Sequence, residues 1–318
     1  MIHRRLGTSG LTVSVVGLGC NNFGFGAGLD AAQTRSVVDA ALSEGVTFFD
    51  TADIYGRSEE FLGEALKGRR NEVVIASKFG SDMHGANGPA WLERTSRRYI
   101  RAAVQRSLRE LRTDWIDLYQ LHRPSRRVPI AETLSALNDL VHEGLVRYIG
   151  CSNFESWEVV EAAWTARAGS LEPFVSAQNE YSLANRKVET GLVPVCERYG
   201  LGLLPYYPLA NGLLTGKYRR GAPVPPGSRL DDPEMKSWLS NDRLDLVEKL
   251  LAFAQERSIT LLEVAIAGLA AQPTVSSVIA GATSPDQVRA NARAASWVPT
   301  PEDLAELNAI SGSCRLEV

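Results

Sequence analysis

One repeated alternation constrains this chain more than anything else in it. Eight short apolar runs rich in β-branched and aromatic residues, at 15–18, 46–49, 73–77, 116–121, 146–149, 174–177, 201–205 and 275–280, are separated by stretches of helical periodicity. The runs are continuously hydrophobic rather than alternating, as strands covered by helices on both faces are. The intervening stretches carry helix punctuation. Asp30-Ala-Ala-Gln33 is a capping box, Val37, Val38, Ala41 and Leu42 share one face, and Gly45 stops the helix. Further helical patterns lie at 59–67, 96–111, 131–142, 156–166 and 187–199, the last followed by Gly200. Thr260 and Glu263 form a second capping box before 261–271, and Ser284-Pro-Asp-Gln287 forms a third with proline at its favoured first position.

A length of 318 residues allows two domains of about 150 residues or one barrel of about 250 carrying about 70 more. Eightfold βα alternation fits a barrel, and an open doubly wound sheet gives the same local pattern. A nucleotide-binding open sheet normally carries G-x-G-x-x-G after its first strand. The glycines here, Gly17, Gly19, Gly24, Gly26 and Gly28, lack that spacing. The expectation is therefore an α/β fold, a (β/α)8 TIM barrel forming a single domain over 1–318. The surplus is assigned to an N-terminal β-hairpin plug at about 3–14, to extended βα loops at 80–94 and 212–240, and to an extra C-terminal helix from Thr300 toward Gly312.

Composition narrows the partners. With 34 Lys and Arg against 37 Asp and Glu, the net charge of −3 offers no large positive field for nucleic acid or an anionic membrane. A small-molecule partner is expected, and nothing indicates a protein partner or a homo-oligomer. Cys20, Cys151, Cys196 and Cys314 lie far apart without a CxxC, and His3, His84 and His142 suggest no metal site. A reducing, cytoplasmic setting fits. Arg4-Arg5 before 11–20 imitates an export signal, but Thr8, Ser9, Thr12 and Ser14 interrupt it. The uncharged stretch 264–285 is long enough to span a bilayer, yet Gln272, Pro273, Thr274, Ser276 and Ser277 divide it into a buried helix and a buried strand.

Barrel chemistry gathers at the C-terminal ends of the strands. Three runs end unusually, in Asp50, Lys78 and His122, and Asp53, Tyr55 and Gly56 follow the first. Singly, an aspartate after a strand is a cap, a histidine is a satisfied polar group and a lysine is solvated. Together their chemistry interlocks. A partly buried Lys78–Asp50 pair beside Tyr55 is expected to lower the phenol's pKa and make it a better general acid, while His122 donates to the same oxygen. Such donors stabilise the charge that grows on a carbonyl oxygen as hydride arrives at carbon.

At these residues the sequence resembles the aldo-keto reductase superfamily, nearly end to end, in the branch that includes potassium-channel β-subunits and bacterial glyceraldehyde-phosphate reductases. Phe-Asp-Thr-Ala-Asp-Ile-Tyr-Gly (49–56), Lys78 and Leu-Tyr-Gln-Leu-His-Arg-Pro (118–124) carry the likeness. The resemblance implies a carbonyl substrate, Tyr55 as general acid tuned by Lys78 and Asp50, and His122 orienting the carbonyl. It also implies a nicotinamide cofactor, NADP(H) before NAD(H), since no side chain supplies hydride. Ser152, Asn153 and Gln178 would hold the carboxamide and Tyr206 would stack on the ring. The 206–218 stretch, with Pro208, Leu209, Gly212 and Lys217, would cover the pyrophosphate, and Tyr207 stands there where serine is common. Gly281, Thr283, Gln287 and Asn291 correspond to the adenosine segment. There the chain departs from members with the clearest NADP preference, which carry Lys near 281 and Arg near 287, although Arg289 is close. Trp91 and Trp238 are candidates to wall a substrate pocket, and Cys151 reads as a small buried hydrophobe. Two other classes stay open: a cofactor-sensing regulatory subunit, and a lyase or isomerase using a Schiff base at Lys78.

Overall fold

The computed structural model describes residues 1–24, 26 and 28–312; Cys314 lies outside the described residues. Strands β1 (His3–Arg5) and β2 (Thr12–Ser14) pair as an antiparallel hairpin. Eight parallel strands come next: β3 (Val16–Gly19), β4 (Phe48–Asp50), β5 (Val74–Phe79), β6 (Ile116–Leu121), β7 (Val146–Ser152), β8 (Ser176–Gln178), β9 (Gly202–Leu203) and β10 (Val278–Gly281). They pair in chain order, with β10 beside β3. The remaining seam is bridged by Leu203 and Val275, by Leu203 N donating to Thr274 O at 2.8 Å, and by Ile279 N donating to Pro205 O at 3.0 Å. The sheet thus curls into a (β/α)8 TIM barrel.

Helices α1 (Ala31–Ser43), α2 (Ser58–Ala65), α3 (Arg97–Leu111), α4 (Ile130–His142), α5 (Ser156–Gly169), α6 (Leu192–Tyr199), α7 (Asn241–Glu256), α8 (Leu261–Ala270), α9 (Pro285–Ala294) and α10 (Pro301–Gly312) surround it. The capping boxes at Asp30 and Thr260 form in full. At Ser284 only half forms: its hydroxyl accepts from Gln287 N, while the Gln287 side chain accepts from Thr283 instead. The pattern read as one helix at 187–199 is broken. A 3-10 turn at Lys187–Thr190 ends where Gly191 takes φ −139° and ψ −59°, and α6 starts afresh.

Strand parity separates three cores. Side chains outside the barrel, among them Phe49, Ile75, Tyr119 and Ile149, form the large layer under the helices. Phe48, Ala76, Leu118, Leu204 and Ile279 point inward, and the hairpin residues Leu6, Leu11 and Val13 join them from below. The hairpin therefore plugs the floor, each buried leucine or valine contributing about 1.5–3 kcal/mol. Gly17 leaves room for Phe48, whose ring would lie 2.6 Å from a Cβ there. A third cluster joins Leu213, Leu214 and Tyr218 of the long loop after β9 to Leu246, Val247, Leu250 and Phe253 of α7 and to Leu307 of α10. The α7 helix is a further part of the surplus, one not assigned from the sequence. Trp238 packs against this cluster with Arg243 over its ring, and Trp91 is 72% exposed under Arg98.

Candidate active site

Inside the barrel the uppermost layer changes from apolar to polar. Phe48, Ala76 and Leu118 are succeeded two residues on by Asp50, Lys78 and Gln120, because inward positions recur with period two. Lys78 is fully buried and donates to Asp50 Oδ1 at 2.5 Å and to Thr51 O at 2.9 Å. The pair is thus wholly buried rather than partly so. Burial alone would lower the Lys78 pKa, but Asp50 and Tyr55 together raise it above the ordinary lysine value, so the residue is an ammonium. Asp50 Oδ2 accepts from Gln178 Nε2 at 2.8 Å and from Gln120 Nε2 at 3.2 Å, which satisfies both carboxylate oxygens.

Tyr55 lies above this layer. Lys78 Nζ is 5.1 Å from its ring centroid, and its ring meets His122 edge to face at 5.8 Å. The expected lowering of the phenol pKa does not hold. Burial raises it, and although Lys78 pulls it down, Asp50 adds to the rise and the net direction is upward. Tyr55 is therefore a protonated donor across the neutral range. His122 is driven down to about 3 by burial, with Lys78 and Arg123 adding to the effect, so its imidazole is neutral. Its Nδ1 faces Ser81 Oγ at 3.1 Å. Where Ser81 donates to Nδ1, the proton sits on Nε2, the tautomer that offers a donor to an oxygen in the cleft.

Ser152 ends β7 and Gln178 ends β8, and Ser152 Oγ donates to Gln178 O at 2.9 Å. Asn153, at φ 60°, donates to His122 O at 2.9 Å and to Ser152 Oγ at 3.1 Å, and accepts from the Tyr206 hydroxyl at 2.7 Å. The structure brings these four together. Gln178 Nε2 is fixed by Asp50 and Gln120, while its Oε1 takes no hydrogen bond among the described residues, leaving an oriented acceptor that suits the amide N–H of a carboxamide.

Beyond β9, Tyr207, Ala210, Asn211 and Gly212 all have φ between 46° and 92°. Strained backbone of this kind collects at ligand-holding loops. Pro208 and Leu209 lie at its start, Lys217 is exposed, and Tyr207 is exposed with Arg229 over its ring. Gly281 ends β10, and Asn291 donates to its carbonyl at 3.3 Å. Gln287 Oε1 accepts from Thr283 N at 2.8 Å, and Arg289 is paired with Asp286 at 2.8 Å on the surface. Burial pushes the Cys151 thiol well up, so it is no thiolate.

Several contributors were not singled out from sequence. Gln120 is one, and its signal was a glutamine inside a fully buried strand. Ser81, which faces His122 Nδ1, is another. Behind β5 and β6, Asn87 donates to Asp53 at 3.1 Å and Ser77 donates to Glu59. Burial and the neighbouring Glu59 push Asp53 up to about 8, and burial pushes Glu59 up to about 7.

Comparison with known proteins agrees with this geometry. The model described as Aldo/keto reductase family matches residues 15–311. A probable voltage-gated potassium channel subunit beta of Oryza sativa subsp. japonica is 36% identical over 322 residues, covering 98% of this chain and 96% of its own length. An Arabidopsis thaliana protein of the same description is 36% identical over 309 residues, covering 94% and 92%. The uncharacterized oxidoreductase YqkF of Bacillus subtilis (strain 168) is 34% identical over 299 residues, covering 93% and 91%. The chain belongs to the aldo/keto reductase family and is an oxidoreductase.

Proposed function

We propose that this protein reduces an aldehyde or ketone to the alcohol, with Tyr55 as the acid and with NADPH preferred to NADH. The observation that carries the reading is the buried Lys78–Asp50 pair set beneath a neutral, partly exposed Tyr55–His122 couple at the barrel mouth. When bound, the nicotinamide nucleotide supplies hydride to the carbonyl carbon. Ser152, Asn153 and Gln178 would hold its carboxamide, Tyr206 its ring face, the 208–217 loop with Lys217 its pyrophosphate, and Gly281, Thr283, Gln287 and Asn291 its adenosine end. The carbonyl oxygen lies between the Tyr55 hydroxyl and His122 Nε2. Tyr55 gives its proton to that oxygen, Lys78 stabilises the phenolate left behind, and solvent returns the proton. Preference for NADPH rests on family habit more than on visible charge, since Arg289 lies on another face of α9 from Gln287 and is paired with Asp286 on the surface. Free, buried Cys20, Cys151 and Cys196 suit a cytoplasmic setting, and no helix among the described residues is long and apolar enough to cross a membrane.

Tyr55→Phe tests the reading. Carbonyl reduction should fall by about 10²–10⁴-fold while fluorescence titration still reports NADPH binding; retained turnover would remove Tyr55 from the role.

The names of the two plant relatives favour a second reading, a regulatory subunit that senses cofactor occupancy. Slow single turnover with retained cofactor and a co-purifying partner would support it, and rapid multiple turnover on a small aldehyde would exclude it.

A further inference from the structure

We propose that Gln120 is a positioning residue that couples the cofactor-facing Gln178 to the Lys78–Asp50 pair, an inference that rests on the carbonyl-reducing reading above. An amide inside a barrel costs free energy unless its groups are bonded. Gln120 is fully buried on the inward face of β6, directly above Leu118 of the apolar layer, where strand parity alone would favour another hydrocarbon. Its two polar atoms are used within the site. Nε2 donates to Asp50 Oδ2 at 3.2 Å, and Oε1 accepts from Gln178 Nε2 at 3.3 Å. Gln178 Nε2 also donates to Asp50 Oδ2 at 2.8 Å, so the three side chains close a hydrogen-bonded ring. Space is cleared for it next door. A Cβ on Gly150 of β7 would stand 3.2 Å from Gln120 Cγ and 2.3 Å from Ser176 Oγ.

The ring has a functional reading that packing lacks. Asp50 holds Lys78, which faces Tyr55, and Asp50 with Gln120 holds both hydrogens of the Gln178 amide. The group that orients the carboxamide and the group that tunes the acid are therefore registered to one carboxylate. Removing Gln120 frees one hydrogen of Gln178 and one lone pair of Asp50. That loosens the nicotinamide's seat without touching any group that meets the carbonyl.

Two variants of the full-length protein test this. Gln120→Met keeps the bulk and removes both polar atoms. It should weaken NADPH binding about tenfold in a fluorescence titration and lower kcat about tenfold, the size of one lost hydrogen bond to a charged group, with the carbonyl KM unchanged. Gln120→Glu keeps the shape and becomes titratable. Protonated, its hydroxyl still donates to Asp50; ionised, it repels Asp50. Its kcat relative to the native protein should be highest at acid pH and should fall as pH rises, a dependence that Gln120→Met lacks. A purely structural role predicts a ratio that does not move with pH. Values of Kd and kcat within twofold of the native protein for Gln120→Met, or a flat ratio for Gln120→Glu, would overturn the proposal. Where Gln120→Met does not fold, the pH dependence of Gln120→Glu decides. Should the native protein bind NADPH without reducing carbonyls, the reading of its function fails, and the Kd of Gln120→Met still decides the coupling.

Discussion

Removing Lys78 separates what the buried pair does for stability from what it does for chemistry. Lys78→Met leaves the Asp50 carboxylate buried at 4% exposure, with Gln120 and Gln178 as its remaining donors among the described residues. Stripping one partner from a buried ion pair costs about 3–5 kcal/mol, because the remaining charge is uncompensated. Two amide donors remain, so the low end applies, about 3 kcal/mol. At about 1.5 °C per kcal/mol for a chain of this size, the melting temperature should fall by about 4–5 °C.

Adding Asp50→Asn to Lys78→Met removes the orphan charge, and the asparagine oxygen still accepts from both glutamines. The double variant should therefore recover most of the lost stability. Activity should not follow. On the reading proposed above, the phenolate left by Tyr55 loses its stabilising ammonium, so both variants should turn over on the order of 10²-fold more slowly. Calorimetry and steady-state reduction of a small aldehyde on the single and double variants read the two quantities separately. A single variant within about 1 kcal/mol of the native protein, or a double variant no more stable than the single, would refute the claim that Lys78 compensates Asp50.

Stability should decline between about pH 6.5 and 8. Asp53 and Glu59 have folded pKa values of about 8 and about 7, above their unfolded values, so in this window the folded state keeps protons that the unfolded chain has released. Each group that still holds its proton contributes a loss of about 1.4 kcal/mol per pH unit, and Asp53→Asn should flatten the slope of melting temperature against pH. A slope unchanged by Asp53→Asn would contradict it. His122 works in the opposite direction below its unfolded value of about 6.5, since the folded state then refuses a proton. For the same reason, kcat/KM for carbonyl reduction should show no acid limb from His122 above about pH 4. A limb near pH 6 abolished by His122→Gln would show the imidazole titrating in the working range.

Much of the fold was legible because parallel strands buried on both faces write themselves as unbroken apolar runs. Six-residue β6 is buried throughout, and its run marks both of its ends, 116–121, even though Asp117 and Gln120 lie within it. The short strands were less legible. Gly202–Leu203 is only two residues of the five-residue run 201–205, because Pro205 has no N–H to give the ladder and the chain beyond it turns into the loop at the barrel mouth. The 187–199 helix failed on a single glycine: periodicity survives an interruption that backbone geometry does not. The α7 helix carries an ordinary apolar face, Leu246, Val247, Leu250, Phe253 and Ala254, yet it belongs to no βα repeat, and the eightfold pattern drew attention away from it.

The site was legible where a polar residue interrupts an apolar run at its end, as Asp50, Lys78 and His122 do. It was not legible where the polar residue sits inside the run. Gln120 lies between Tyr119 and Leu121, and only the assembled barrel shows that its parity matches Asp50 and Lys78 rather than Tyr119. The direction of the Tyr55 pKa was misjudged for a related reason. A neighbouring ammonium can be guessed from sequence, but the depth of burial that outweighs it depends on everything else that closes over the ring. On the reading proposed above, what Lys78 offers is its effect on the phenolate that proton transfer leaves, since it pulls the Tyr55 pKa down while burial pushes it up further. Asp50 holds the ammonium in place, and Gln120 and Gln178 in turn hold Asp50.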